Sequence, residues 1–283
     1  MLDETTRDAI LRVRDEAADK GIDAFFVMHR EKSHLMRIGN NSVSLNTSVD
    51  MTRLDVEVID GRREGSYTVM GDITGPESVR SALDAAVEKA SLSAPKDYDP
   101  ISPAVQGNAE EMLQYDEALE EMDSRDKAVV YREIIEGSGK GLNHSGSWSS
   151  GSTEVLLACT GNGNLAWRIG TDQQFSCVLK HPKEKWELAS FQTGWRAGDV
   201  KAGATLAAFD RLLPVYEKPG FRVEPGEYTV IFGSQALAEI VGMALGTGFG
   251  GRGYEEGMNW TCGSGVGDRI LSEKVTLVDD PDD

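Results

Sequence analysis

The sequence predicts a protein of mixed α/β (α+β) class, and three observations support this. Apolar residues recur three or four positions apart over 4–20, and Gly21 follows as a helix stop. Strand-like runs such as 22–29 and 54–58 are then separated by turn residues. A second group of strand-like runs lies within 129–191. We therefore predict an N-terminal helix plus antiparallel meander, a middle antiparallel sheet with flanking helices, and the start of a C-terminal mixed-sheet domain.

Turn residues place the first strands. Asn40-Asn41 predicts a hairpin turn, because asparagine tolerates a positive φ at low cost. Asp60-Gly61 predicts a second tight turn, which leads into a strand over 62–70. In contrast, the charged stretch from His29 to His34 predicts a solvated loop between strands.

Capping signals place the later helices. Pro76 occupies a first helical position, and Asn108 with Glu111 has the spacing of a capping box. Asp199 is expected to cap a helix that ends before Pro214. The strand-like runs of the second sheet are 129–135, 142–148, 153–160, 175–179 and 186–191.

These elements indicate two domains. The N-terminal α/β domain is expected to span 1–220, with sub-regions 1–92 and 108–218 joined by a connector that contains three prolines. The C-terminal domain is expected to span 221–283 and to be incomplete.

Composition limits the function classes. The net charge of −18 repels phosphate backbones and anionic lipids, which argues against nucleic acid and membrane as partners; an acid-coated surface is the alternative account of this charge. Three widely spaced cysteines argue against a disulfide framework and a structural zinc site. No apolar signal core follows Met1, so we expect a cytoplasmic protein.

Several short motifs are better explained as turns or loops. Gly246, Gly248 and Gly251 satisfy G-x-G-x-x-G, but they follow a helix, whereas a dinucleotide site follows a strand. The segment 137–141 lacks the Lys-Ser/Thr ending of a phosphate loop. His144-Ser145 lacks the strand–elbow–helix context of a hydrolase nucleophile.

The segment 234–246 is the central feature of the sequence. A strand-like run over 228–232 leads through Gly233-Ser234, with Ser234 as the capping residue, into an apolar helix that we expect to be buried. Glu239 lies in its middle, and a carboxylate in such a segment needs a surface, a cleft, a partner or a neutral state.

The chain resembles the TldD/PmbA family over nearly its whole length. The residues that carry the resemblance are Arg37-Ile38-Gly39-Asn40-Asn41, the run 56–62, Trp195-Arg196 and, most of all, 265–281. The resemblance implies a relation to zinc-dependent peptidases and to the PmbA (TldE) proteins that pair with them.

In the zinc-dependent members the corresponding helix carries His-Glu-x-x-x-His. Aligned on its Glu and Gly, the motif becomes a degenerate metal motif here, with Ala238 and Met243 at the histidine positions and Glu239 at the general-base position. The resemblance therefore implies the PmbA/TldE-like branch, with no metal and no other cofactor in this chain, no catalytic residue unless Glu239 is still used, and zinc in a TldD-like partner. An isolated glutamate placed there by coincidence is the alternative.

The Asp-Asp-Pro at 279–281 resembles an internal landmark of the family, after which the chain normally continues. We expect either a fragment or a short form that needs a partner to complete its sheet.

The expected function is that of a non-metal-binding subunit of a TldD/TldE-type cytoplasmic metalloprotease complex that acts on unfolded or leader peptides. The expected partners are a TldD-like zinc peptidase subunit and a peptide substrate, with a homodimer where that partner is absent. Two alternatives stay open. One is an autonomous metal-independent hydrolase with Glu239 as general base. The other is a regulatory protein-binding module that acts on a DNA-handling enzyme.

Overall fold

The computed structural model describes residues 4–71, 73, 75–103, 107–112, 114–139, 141–184 and 186–278. The chain divides into two compact units, Met1–Phe221 and Arg222–Asp283. The helices are α1 (Glu4–Asp19), α2 (Pro76–Leu92), α3 (Glu117–Glu120), α4 (Ser124–Gly137), α5 (Ala202–Tyr216), α6 (Ser234–Gly248) and α7 (Gly251–Glu255). The strands are β1 (Asp23–Gly39), β2 (Ser42–Asp60), β3 (Arg63–Met70), β4 (Ala109–Met112), β5 (Asn143–Cys159), β6 (Leu165–Lys180) and β7 (Glu187–Gly194). The predicted mixed α/β class is confirmed.

The strands of the described chain form one seven-stranded sheet in the order β3-β2-β1-β5-β6-β4, and β7 also pairs with β6. All pairs are antiparallel except β4 with β6. The two strand groups that the sequence predicts are joined because β1 pairs with β5, from Phe25↔Cys159 to Ile38↔Gly146. Because the paired residues are far apart in the sequence, no local sequence pattern predicts that β1 and β5 are neighbours.

The predicted turns have the expected backbone geometry. Asn40 and Asn41 have φ values of 49° and 65° between β1 and β2. Gly61, between β2 and β3, has a φ of 60°, and Gly21, after α1, has a φ of 68°. These positions favour asparagine and glycine because other side chains pay a steric cost at positive φ.

A first apolar core lies where α1 and α2 pack on one face of β1, β2 and β5. Its buried strand residues alternate along the chain, as a one-sided sheet requires: Ala24, Phe26, Met28, Leu54, Val56, Val58, Leu156 and Ala158. Helix α2 approaches β3 so closely that a Cβ at Gly65 would lie 2.2 Å from the carbonyl oxygen of Ala86 and from the nitrogen of Ala90.

A second core lies farther along the same face, under α4 and α5. Tyr131 of α4 packs against Trp148 and Phe175, with ring centroids 6.3 Å and 5.2 Å away. The rings of Trp148 and Phe175 meet edge to face at 5.5 Å. Such pairs add a modest orientation-dependent stabilisation to the burial of the rings.

Two secondary-structure predictions are wrong in type. The helix expected from Asn108 is instead the strand β4, because the Asn108 Oδ1 accepts a hydrogen bond from the Leu165 amide at 3.1 Å and so aligns this segment beside β6. The strand expected at 129–135 is part of α4. That helix has a capping box formed by Asp123 and Asp126, and this outweighs its β-branched residues.

Other boundaries also differ from the predictions. Residues 29–34 lie inside β1, so they are not a loop. Helix α5 starts after Lys201 rather than at Asp199, and it continues past Pro214 to Tyr216, since a proline near a helix end removes only one hydrogen bond. The segments 142–148 and 153–160 belong to one strand, β5.

The strand expected at 228–232 is not formed. The segment is irregular and exposed, and Ile231 is 94% exposed. A strand needs a hydrogen-bonded neighbour, and within the described residues no strand follows Gly194. The predicted landmark at 279–281 lies outside the described residues.

Candidate functional site

Helix α6 carries the three residues of the degenerate metal motif. It starts after Gly233, which is the N-cap and has no side-chain capping bond, so the prediction that Ser234 caps it is wrong. The prediction that the helix is buried is also wrong, since Leu237 and Ile240 are 49% and 50% exposed. Within the described part of Arg222–Asp283, the short α7 is the only other helix and no strand is formed.

Ala238, Glu239 and Met243 are all exposed on α6. Glu239 and Met243 are four residues apart, which places them on neighbouring turns of one helix face. Zinc sites use thiolate, imidazole and carboxylate ligands, and of these three residues only Glu239 offers one. In the part of the chain that the structure describes, no group of three or more His, Cys, Asp or Glu side chains is placed to hold a metal ion. The residues at the motif positions do not fit a zinc ion.

The C-terminal end of α6 is held by the segment that follows α7. The Trp260 Nε1 donates to the Ala244 carbonyl oxygen at 3.0 Å, and the Asn259 Nδ2 donates to the Gly250 carbonyl oxygen at 2.7 Å. Gly248 has to be a glycine here, because a Cβ would lie 2.2 Å from the Trp260 Nε1. A cavity of about 410 Å³ opens beside this end, and Glu239 does not line it.

A band of polar side chains separates the two cores of the N-terminal unit. It comprises three adjacent rows across β2, β1, β5 and β6, all on the face that carries the helices. We call this band the polar belt, and its members are Ser48, Asp50, Thr52, Arg30, Lys32, His34, Ser150, Ser152, Glu154, Thr171 and Gln173.

Opposite charges within and above the belt are paired. The Arg30 guanidinium donates two hydrogen bonds to the carboxylate of Asp50, each at 3.2 Å. This contact raises the pKa of Arg30 and lowers the pKa of Asp50. The Lys32 Nζ lies 2.6 Å from Glu121 and 3.2 Å from Glu120, and the hydrogen bond to Glu121 is the main cause of a raised Lys32 pKa. Helix α3 is thereby held over the belt.

Deeply buried polar groups anchor the helices and β6 to the belt. The Lys127 Nζ, from α4, donates to the His34 carbonyl oxygen at 2.6 Å, and burial lowers its pKa to about 8. The Trp148 Nε1 donates to Gln173 at 3.0 Å. Glu154 is only 3% exposed and accepts from the Trp167 Nε1 at 2.7 Å. These contacts satisfy buried groups, so the belt is a structural network that fixes helices to the sheet.

Sequence reasoning missed this belt, although one signal was present. Polar residues occupy every second position over 30–34, 48–52 and 150–154, which is the period of one strand face. The signal was obscured because intervening residues such as Glu31, Ser33 and Thr153 are also polar.

Two candidate pairs noted in the sequence, His144 with Ser145 and His29 with His34, are each separated by the sheet. His144 is 1% exposed, and its Nδ1 donates to the Asn41 Oδ1 at 2.7 Å. The neighbouring Ser145 lies on the opposite face of β5, as successive strand residues do. His29 and His34 likewise lie on opposite faces of β1, so they do not form a ligand pair.

Comparisons with solved structures place this fold among known proteins. The chain is similar to a protein named "putative modulator of DNA gyrase" from Bacteroides thetaiotaomicron, with a TM-score of 0.68, 15% identity, and coverage of 93% of this chain and 61% of that one. TldE from Thermococcus kodakarensis gives a TM-score of 0.57 at 15% identity, over 72% of this chain and 47% of that chain. A "putative modulator of a DNA gyrase" from Thermotoga maritima gives a TM-score of 0.55 at 12% identity, over 74% and 47%. At these identities the likeness establishes the fold.

The sequence of the second unit matches a known domain family. No curated protein matches the chain. Residues 225–283, which include α6, match the model of the "PmbA/TldA metallopeptidase C-terminal domain". This match assigns residues 225–283 to the C-terminal domain of that family. The chain spans between 47% and 61% of the length of the solved structures named above.

The domain match and the likeness in fold confirm the resemblance to this family found in the sequence. No helix in the described residues is both long enough and apolar enough to cross a bilayer.

Proposed function

We propose that this chain acts as a non-metal-binding, PmbA/TldE-like subunit of a cytoplasmic TldD/TldE-type peptidase complex. In this proposal a TldD-like subunit supplies the zinc ion, and this chain supplies part of the surface that receives unfolded or leader peptides.

The observation that carries the proposal is the chemistry of α6. Residues 225–283 match a metallopeptidase-family domain, and the resemblance read from the sequence puts Ala238 and Met243 at the positions of the two histidines. An alanine side chain has no donor atom, and a methionine thioether is a soft ligand that suits copper(I) better than zinc. Glu239 has no metal-bound water to activate, so its carboxylate has no hydrolytic task in this chain.

The exposed surface of α6 supports a role in contacting another protein. Leu237, Ile240, Met243 and Leu245 are between 42% and 74% exposed, so the helix presents a continuous apolar face. Contiguous apolar surface of this kind is typical of protein interfaces.

The experiment is co-expression of this chain with a TldD-like relative that carries His-Glu-x-x-x-His, followed by purification on a tag on this chain. We expect the relative to co-purify, and we expect cleavage of an unfolded peptide only by the pair. Metal analysis of each purified subunit should find zinc in the relative alone. Stoichiometric zinc in this chain, or peptide cleavage by this chain alone, would contradict the proposal.

A further inference from the structure

The first half of β2 is an open edge of the sheet. Strand β3 pairs only with residues 53–60 of β2, so the residues from Ser42 to Thr52 have β1 as their one partner strand in the described chain. All nine residues from Ser42 to Asp50 are exposed. Unpaired backbone groups along such an edge can template the addition of another strand.

The outward direction of the backbone groups follows from one hydrogen bond. The Gly71 amide donates to the Thr52 carbonyl oxygen at 2.8 Å, so Thr52 points its backbone groups away from β1 and toward the β3 side. In an antiparallel strand this direction alternates from residue to residue. Asn46, Ser48 and Asp50 therefore direct their N–H and C=O groups outward. The register shift opposite Arg37/Ile38 ends this regular phase near Ser44.

The side chains of this edge lack the usual protection against pairing. Natural sheets protect exposed edges with lysine, proline or inward-pointing charges. The residues from Ser42 to Val49 include no proline and no charged side chain. Asp50 is charged, but Arg30 of the same chain neutralises it. Val43, Leu45 and Val49 are 52%, 42% and 39% exposed.

The chain's overall charge favours this edge for contact between two copies. Two chains of net charge −18 repel each other over most of their surface. The uncharged run from Ser42 to Val49 is a place where two copies can approach without like charges meeting.

We propose that residues 45–51 of β2 pair antiparallel with the same residues of a second copy, about a two-fold axis at Ser48. In this register Ser48 lies opposite Ser48, Thr47 opposite Val49, and Leu45 opposite Met51. Asn46 lies opposite Asp50, so no like charges face each other. The result is an isologous contact that continues one seven-stranded sheet into another. The pairing needs no zinc-bearing relative, so it stands apart from the proposed function.

The first test is sedimentation of the 283-residue chain alone over a range of concentrations. We expect a dimer, and we expect Val49→Lys to weaken it about tenfold or more, because the lysine places a charge beside its symmetry mate. The matched control is Val215→Lys, at an exposed valine of α5, which packs on β7 toward the other side of the sheet from β2; it should leave the dimer unchanged. Circular dichroism of both variants should match the parent chain.

A second measurement does not depend on the folding of the lysine variant. Oxidation of Ser48→Cys should give a covalent dimer, because directly opposite residues in a hydrogen-bonded pair lie within disulfide reach. The parent chain, treated in parallel, controls for the partly exposed Cys262. A monomer at all concentrations, a dimer that Val49→Lys does not affect, or an edge that binds only an extended peptide would overturn the proposal.

Discussion

The Lys127 Nζ donates a hydrogen bond to the carbonyl oxygen of His34 at 2.6 Å, in the interior between α4 and β1. Lys127 is 1% exposed, and the structure gives it the Trp148 ring at 5.9 Å as a further contact. Carbonyl dipoles and an aromatic face replace only part of the hydration that the ammonium loses, so its pKa falls to about 8.

This relationship predicts a pH-dependent stability. The folded-state pKa of Lys127 lies below the value of 10.5 for the free side chain, so between about pH 8 and 10.5 the unfolded chain binds more protons. The contribution of Lys127 to the free energy of unfolding therefore rises with pH through this window, by up to roughly 3 kcal/mol. Urea unfolding of Lys127→Met and the parent chain at pH 7, 8.5 and 10 should show that only the parent has this rise.

The test compares the parent with Lys127→Met, rather than using the parent alone, because other groups also titrate between about pH 8 and 10.5. Burial raises the pKa of Cys177 to about 12, so ionisation of this thiol in the unfolded chain lowers stability as pH rises through about 9. Both proteins share that contribution, and it cancels in the comparison. Lys183→Met, at an exposed loop residue, is the control and should follow the parent. Parallel pH profiles for Lys127→Met and the parent would refute the prediction.

The β1–β2 turn offers a matched pair of substitutions. Asn40 and Asn41 both have a positive φ, but only the Asn41 Oδ1 accepts hydrogen bonds from the backbone N and the Nδ1 of His144, at 2.8 Å and 2.7 Å. We expect Asn41→Gly to lower the free energy of unfolding by roughly 1–3 kcal/mol, since buried donors lose their acceptor. Asn40→Gly should change it by only a few tenths of a kcal/mol.

Chemical denaturation of both variants measures this difference. The same pair has a pH signature, because burial lowers the pKa of His144 below its usual value. The unfolded chain then binds more protons as pH falls below about 6.5, so stability declines on acidification. Equal losses for Asn40→Gly and Asn41→Gly would show that the side-chain contacts contribute nothing.

Gly65 provides a test of the packing of α2 on β3. A Cβ there would lie 2.2 Å from backbone atoms of Ala86 and Ala90, which cannot move without moving the helix. We expect Gly65→Ala to destabilise the protein by roughly 1–3 kcal/mol or more. Gly161→Ala is the control, since nothing lies within 4 Å of its Cβ position and its φ is not positive. Thermal unfolding distinguishes them, and a Gly65→Ala midpoint equal to the control would contradict so close an approach of the two backbones.

The fold could be predicted from the sequence where local chemistry decides it. The turn residues have their expected conformations, because glycine and asparagine tolerate a positive φ whatever their tertiary surroundings: Asn40-Asn41, Gly61 and Gly21. The continuation of β1 through His29 to His34 could not be predicted, since its charges are neutralised by Asp50 and by Glu120 and Glu121, which are distant in sequence.

Competing local signals account for the errors at β4 and α4. Asn108 can cap a helix, but its side chain binds the Leu165 amide across the sheet, and this partner lies 57 residues away. Asp123 and Asp126 gave a capping signal for α4 that the β-branched residues at 129–135 obscured. The candidate site divides in the same way. Ala238, Glu239 and Met243 could be located on their helix from sequence, whereas the exposure of that helix and the polar belt depend on tertiary pairing.

The role of Glu239 gives a last prediction. In the proposed complex this carboxylate has no metal-bound water to act on, and it is exposed on α6 with no hydrogen bond that holds it in a catalytic position among the described residues. Glu239→Ala in this chain should therefore leave kcat/KM for peptide cleavage by the reconstituted pair within about twofold of the parent. The matched control is the same substitution at the Glu of His-Glu-x-x-x-His in the zinc-bearing relative, which should reduce kcat by several orders of magnitude because a general base contributes about 10²–10⁴-fold or more. A collapse of activity with Glu239→Ala in this chain, at unchanged subunit pairing, would favour an autonomous hydrolase in which Glu239 is the general base.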